Sequence, residues 1–436
     1  MRFVERLVVV AHCILPALCM LSSHALSPDG SCSSPRPLAV TPARDGVDAD
    51  AGSPSADDGV GYIATNASAP VATGPSAVAR SLHGRLLCAS QVAYASDASS
   101  AAYLRGVGFR AGTQVRRLSR GVNSVVVGWA PFVVGGGRAP DIFVGFRGTR
   151  TASPLDWLLN ADLQLDPFVV SEEVVRSVGP FGGPEHDTMV MEAFRGSAGR
   201  VHSGFYSAAS ALYEPIRETV EDMLREWTEK YSGEGCAPDI YITGHSKGGA
   251  MATLTAALLK MDASVPDPKA VVTFGSPRVG DSQFQSYYNS VLGMKKLHVS
   301  YEAHLDIIPL LPPTSPTLME EMMAEDKKLG SAVEKILWSD TSIRAREKRR
   351  RSPTAWDYKP VGSRLFIAPD SSIIPIDGTG KCVDCPSDEE RIRDFETKTI
   401  LASGMFRAAH GSSCPGEKCD GRYMLAVAPE ICGNMS

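Results

Sequence analysis

Apolar residues recur along this 436-residue chain with two periods, and their alternation predicts the architecture. Short runs rich in β-branched and aromatic residues predict strands at 124–129, 141–146, 239–243, 270–274, 296–301 and 364–368. Between them the spacing changes to that of helices. Phe205, Ala209, Leu212, Ile216, Val220, Met223 and Trp227 form one stripe of a long helix opened by His202, a stripe that reads as core. Ala250, Met251, Leu254, Ala257 and Leu258 mark a second helix, and Asp281 can cap a third through Phe284, Tyr287 and Leu292. Strands that alternate with helices imply an α/β fold, a mainly parallel central sheet with helices on both faces.

The N-terminal quarter follows neither period. Arg2 and Arg6 precede an apolar stretch, 7–21, that is short for a bilayer span of about 20 residues, and small or polar residues ending at Ala25 offer a cleavage site. Residues 1–25 are therefore expected to be a secretory signal peptide, with an uncleaved anchor as the alternative. Residues 26–78 are rich in Ala, Ser, Pro, Gly and Asp and hold few large apolar side chains, which predicts a disordered leader or propeptide. Asn66-Ala-Ser68 within it is a possible glycosylation acceptor. The remainder, 79–436, is expected to be one domain with insertions near 165–200, 314–355 and 370–395. No later segment is long and apolar enough to cross a membrane. The predicted location is outside the cell or in the lumen of the secretory pathway.

A net charge of −5 argues against a nucleic-acid partner. Neither an internal repeat, a dinucleotide fingerprint nor a P-loop occurs, and no cofactor or metal is expected. Without the signal segment, eight cysteines remain: Cys32, Cys88, Cys236, Cys382, Cys385, Cys414, Cys419 and Cys432. An even count in an exported chain favours disulfides, although Cys382, Cys385, Cys414 and Cys419 could instead hold zinc as four thiolates. The basic run 344–351, which follows acidic Glu320, Glu321, Glu325 and Asp326, reads as a solvated loop.

The chemistry concentrates where the strand 239–243 meets the helix after it. Gly244-His245-Ser246-Lys247-Gly248 puts a serine on that corner as G-x-S-x-G, where a Cβ at either glycine would collide with neighbouring backbone. A serine there needs a base, a group to orient the base and donors for an oxyanion. In folds built around such a corner the acid follows the serine and the histidine follows the acid. Beyond the acid candidates the chain holds one histidine, His410, which makes it the expected base. Asp306 lies in an irregular, proline-rich loop after a strand and is preferred as the acid; Glu302 and Asp281 are its rivals. His245 points away from the reacting face and reads as structural.

Five motifs in register resemble the class 3 (fungal-type) lipases, which have the α/β-hydrolase fold. They are 144–149 (VGFRGT), 201–205 (VHSGF), 243–250 (TGHSKGGA), 273–281 (TFGSPRVGD) and 306–313 (DIIPLLPP). The likeness covers roughly 80 to 312 and resumes at 356–367 and 406–427. It implies that Asp306 is the acid of a Ser246, Asp306, His410 triad. It also implies an oxyanion hole made by Thr149 and the backbone N–H of Lys247. The family's last histidine is followed within a few residues by a tyrosine; here Cys414 to Cys419 separate His410 from Tyr423. Lys247 replaces the common leucine, and its side chain reads as solvated rather than as a contact for an anionic headgroup. Pro154 to Leu163 start a short helix, and Leu155, Trp157, Leu158 and Leu159 correspond to a lid over the site, or to an ordinary amphipathic helix.

These readings converge on a secreted serine ester hydrolase that works through an acyl-enzyme on Ser246. The expected substrates are triacylglycerols at a lipid–water interface. Phospholipase, galactolipase or feruloyl-type esterase activity is the alternative within the class, and a non-catalytic binding protein with a lipase fold is the alternative outside it.

Overall fold

The computed structural model describes residues 59–63 (backbone only), 79–95, 103–108, 115–130, 141–149, 165–168, 198–231, 237–312, 357–377, 385–388, 390–391, 410–411 and 421–432. Nine strands form one sheet: β1 (Gly59–Ile63), β2 (Val115–Arg120), β3 (Asn123–Ala130), β4 (Asp141–Phe146), β7 (Ile240–His245), β8 (Pro268–Phe274), β9 (His298–Ala303), β10 (Ser363–Ile367) and β11 (Ile373–Ile376), in that spatial order. From β4 to β10 the neighbours are parallel; the outer pairings are antiparallel. Two short strands, β5 (Leu165–Pro167) and β6 (Arg200–His202), pair apart from this sheet.

Each central strand sends alternate side chains to opposite faces, and both faces are covered. Ile142, Val144 and Phe146 of β4, with Ile240 and Ile242 of β7, pack beneath α2 (Ser203–Tyr231) and α3 (Lys247–Met261). Phe143, Tyr241, Val272 and Phe274 face the other way, against α1 (Leu82–Val92) and a C-terminal helix, Arg422–Val427. Burial on both faces is why β4 and β7 read as continuous apolar runs without polar alternation. The stripe on α2 is core as expected, except that Trp227 is half-buried, while Leu224 is buried as well. His202 ends β6 rather than opening α2. Its buried ring stacks on Phe205 at 3.8 Å, and its Nδ1 accepts the Phe205 N–H.

The six expected strands all form, and among the described residues five further strands appear. β2 carries three arginines in six residues, so its sequence lacks an apolar face, yet Val115 and Leu118 are buried. Its charges are used: Arg117 donates to the carbonyls of Val92, Ala93 and Ala95, which α1 leaves open at its C-terminus. Arg116 reaches Asp222 and Glu226 on α2. β1 falls inside 26–78, the stretch read as a leader without structure. Its Val-Gly-Tyr-Ile run pairs antiparallel with β2 from Gly59↔Ser119 to Ile63↔Val115, which corrects that reading for these five residues. The remaining leader residues, the signal segment, 320–326 and 344–351 lie outside the described residues. Cys88 is a free thiol buried on the inner face of α1, which excludes it from the expected pairing; burial raises its pKa to about 12. Cys385 is disulfide-bonded, which removes that thiol from a zinc site.

Behind the loop that follows β9, five charged side chains form a buried network. Glu302 takes Arg364 on both oxygens at 2.6 and 2.8 Å and Arg391 at 2.8 Å. Asp388 pairs with Arg278 at 2.6 Å and with Arg364 at 3.1 Å. Burial alone would push the Glu302 carboxyl up, but the two guanidiniums outweigh it and hold it at about 2. Because the folded value is depressed, Glu302 stabilises the fold above its unfolded pKa of about 4.3, and that contribution fades as the pH falls towards 2. Glu302→Gln is expected to cost about 3–5 kcal/mol at neutral pH, because two buried arginines lose their counter-charge. In urea titrations the gap between the wild type and this variant should narrow between about pH 4.5 and 2; a gap that is small or independent of pH would contradict the network.

Candidate active site

Ser246 occupies the corner between β7 and α3 with φ 60° and ψ −136°, a left-handed conformation costly for any residue with a side chain. The chain holds it there by close backbone packing. A Cβ on Gly244 would lie 2.2 Å from the Gly248 carbonyl oxygen, and one on Gly248 would lie 2.4 Å from that of Phe146. Those contacts are with backbone and cannot swing aside. The Ser246 N–H bonds to the Phe274 carbonyl at 2.9 Å, which anchors the corner to β8.

The expected acid and the expected base meet beyond the ends of the adjacent strands. Asp306, 1% exposed, lies just beyond β9, and its Oδ2 is 2.8 Å from Nδ1 of His410. The Ile308 N–H donates to Oδ1 at 2.9 Å, and the Tyr423 hydroxyl donates to Oδ2 at 2.6 Å. Tyr423 is itself fixed, because its oxygen accepts the Ala303 N–H at 3.1 Å. Burial, then the Asp306 charge, raise the Tyr423 pKa well above the ordinary phenol value, so it stays a neutral donor. Gly275, which ends β8 at φ +57°, leaves the space this cluster needs: a Cβ there would lie 2.7 Å from Asp306 Oδ2 and 3.0 Å from His410 Cε1. The His410 ring lies 4.6 Å from that of His245, the residue before Ser246.

Neither rival acid is placed for this role. Glu302 is committed to Arg364 and Arg391. Asp281 caps Ser282–Ser286, accepting from Phe284 N–H at 2.9 Å, and pairs with Arg200 at 3.0 Å. On the other side of Ser246 the turn after β4 closes in. A Cβ on Gly148 would lie 2.9 Å from the Ser246 Cβ, and the next residue, Thr149, has a buried hydroxyl with no hydrogen-bond partner among the described residues. Lys247 begins α3, so its backbone N–H is one that the helix leaves open. Burial, then the charge of Arg147, lower the pKa of its side chain, which is only half-buried. Leu155, Trp157, Leu158 and Leu159 lie outside the described residues. Among the described residues no cluster of metal ligands occurs.

The motif serine, the aspartate and the last histidine were legible in the sequence. Tyr423 as a donor to Asp306 was not, although a tyrosine after the histidine is part of the family pattern. Cysteines intervene, and only folding brings Tyr423 under the loop 104 residues before His410.

Residues 143–315 match the family described as Lipase (class 3). Over 183 residues the chain is 31% identical to phospholipase A1-II 4 of Oryza sativa subsp. japonica, an alignment covering 40% of each chain. Over 228 residues it is 25% identical to the chloroplastic phospholipase A(1) DAD1 of Arabidopsis thaliana, covering 52% of this chain and 43% of that one. Among solved structures, lipase II from Rhizopus niveus aligns at 15% identity and a TM-score of 0.40, over 65% of this chain and 79% of that one. The chain spans well under half the length of the two plant relatives. With its mainly parallel sheet and its serine corner, this chain has the α/β-hydrolase fold, and its segment 143–315 is similar to the class 3 lipases.

The hydrogen bonds around Asp306 predict the effect of one oxygen atom. Tyr423→Phe leaves a buried carboxylate short of a donor and the Ala303 N–H unpaired. It should cost about 1–3 kcal/mol in chemical denaturation. A variant as stable as the wild type would show that this hydroxyl bridges nothing.

Proposed function

We propose that this chain is a serine carboxylic ester hydrolase acting on acyl lipids, and that its substrates are phospholipids cleaved as a phospholipase A1 cleaves them. The observation that carries the hydrolase reading is the strained Ser246 corner together with a buried Asp306 that lies 2.8 Å from a partly buried His410. The choice of phospholipid is supported by the relatives, which are named phospholipases A1. It moves triacylglycerol, favoured on sequence alone, to second place.

In this reading His410 takes the Ser246 proton as the hydroxyl attacks the acyl carbonyl, and returns it to the departing glycerol oxygen. Asp306 holds the imidazole by Nδ1 and stabilises the imidazolium. The Thr149 hydroxyl, buried and without a partner among the described residues, and the Lys247 N–H donate to the oxyanion. Water activated by His410 then cleaves the acyl-enzyme. No cofactor takes part. Apolar residues of 155–159 acting as a lid at a lipid surface, and export through the secretory route with cleavage after Ala25, belong to the same proposal. The mature N-terminus of protein collected from culture medium would test export.

A fluorophosphonate should label the wild type and fail to label Ser246→Ala, while a folded wild type that never labels would favour a non-catalytic binding protein. Thr149→Val should lower kcat about 100- to 1,000-fold, and His410→Ala should abolish measurable turnover. On phosphatidylcholine vesicles and a triolein emulsion compared side by side, fatty acid should be released faster from the phospholipid, from the sn-1 position. The reverse order would return the assignment to triacylglycerol.

A further inference from the structure

His245 has no part in the chemistry proposed above, yet its buried ring is held at both nitrogens. Nε2 lies 2.7 Å from the backbone carbonyl oxygen of His410. A carbonyl can only accept, so Nε2 carries the proton. Nδ1 of a neutral imidazole must then accept, and the Tyr94 hydroxyl lies 3.0 Å from it, and 3.2 Å from the carbonyl of the same residue. Burial, then the neighbouring His410, hold the His245 pKa well below the usual imidazole range, which agrees with a neutral ring. The Tyr94 oxygen in turn accepts the Gly148 N–H. The contact is close: a Cβ on Gly148 would come within 2.1 Å of that oxygen.

We infer that Gly148, Tyr94, His245 and His410 form a hydrogen-bonded strap that positions the base, with Tyr94 and His245 as its positioning residues. The strap starts on the turn that bears Thr149, passes the corner that bears Ser246 and ends on the backbone of His410. It therefore couples the three parts that must act on one acyl carbon.

Geometry explains why such a strap is needed. Asp306 holds the His410 ring at Nδ1. A second bond to the backbone of the same residue fixes the Cα as well, so both ends of the side chain are set. Charge imposes the other requirement. When His410 takes the Ser246 proton it becomes cationic, with the His245 ring centre 4.6 Å away. A protonated His245 would oppose that step, whereas a neutral ring kept as the Nε2–H tautomer by Tyr94 does not.

The inference rests on the roles proposed for Ser246 and His410, and the test separates the two. In the full chain, His245→Phe removes the donor to His410, His245→Gln keeps an amide donor, and Tyr94→Phe removes only the hydroxyl. Labelling rates with a fluorophosphonate, and kcat and KM on a soluble short-chain ester, are measured for each. His245→Phe should lower kcat about 100-fold with KM nearly unchanged, the scale expected when a catalytic group is misplaced by about 1 Å. His245→Gln should recover most of that loss, and Tyr94→Phe should lower kcat about tenfold. Equal kcat for the Gln and Phe variants would overturn the strap, because a filler of space would not distinguish a donor from a hydrocarbon. Nitrogen-15 NMR of the wild type at neutral pH reads the geometry without relying on activity, and His245 should be the Nε2–H tautomer. A labelled wild type with the Nδ1–H tautomer would sink the strap alone. A wild type that never labels would sink the hydrolase reading, and the strap's purpose with it.

Discussion

The left-handed backbone of Ser246 is the constraint on which the rest of the site depends. A serine at φ 60° is strained by about 1–3 kcal/mol, and it persists only because its surroundings leave no other path. β7 ends at His245 and α3 starts at Lys247, so a single residue must turn the chain. Gly244 and Gly248 allow the strand, the helix and the end of β4 to approach closely enough for that. The strain is thereby borne by a sheet and helix whose apolar faces are buried on both sides, and the hydroxyl is presented at the ends of the parallel strands. Everything that must meet Ser246 comes to that same edge: the turn after β4, Gly275 after β8, and the Asp306 loop after β9.

Convergence alone would bring the groups near one another without fixing them. Here each is held by bonds that its neighbours cannot release independently. Tyr423 accepts from Ala303 while donating to Asp306, so the C-terminal helix and the loop after β9 share one oxygen. Behind that loop Arg391 reaches the carbonyls of Ala303 and Asp306 at 3.3 and 3.4 Å while bonding Glu302. A charged network, costly to bury, thus acts on the backbone that carries the acid. Its value lies in specifying the path of the loop more than in net stability, because buried ion pairs roughly offset their own desolvation.

What the sequence disclosed follows from the range of the forces involved. Strands buried on both faces announce themselves as apolar runs, and the six central ones were legible within a few residues. β2 was not, because Arg116 and Arg117 interrupt the apolar pattern of a strand, and their partners lie on α1 and α2. Nor was β1, whose Val-Gly-Tyr-Ile run is too short to stand out against a polar stretch. The G-x-S-x-G corner was legible because its requirement is local: two residues without a Cβ, two positions either side of the serine. Tyr423 and His245 escaped because their roles lie in distant partners. His245 was read as structural from its position, and only the fold reveals that its bond runs to the backbone of His410, 165 residues on.

Two carboxylates four positions apart show why residue type and order could not rank the acid candidates by themselves. Glu302 and Asp306 are both buried, one inside β9 and the other just beyond it. Glu302 is the last but one residue of β9 and faces Arg364 and Arg391; two cations hold it at about 2 and occupy both its oxygens. Such a group is fully ionised at neutral pH, yet it has nothing left to offer an imidazole. Asp306 has left the strand, and its partners other than His410 are neutral: an amide N–H on Oδ1 and a phenol on Oδ2. These neutral donors fix the carboxylate in place and leave Oδ2 within reach of a histidine 2.8 Å away. The division between a residue that builds the loop and one that pairs with His410 is therefore made by what each faces, a choice set by strands and helices far from both in the chain.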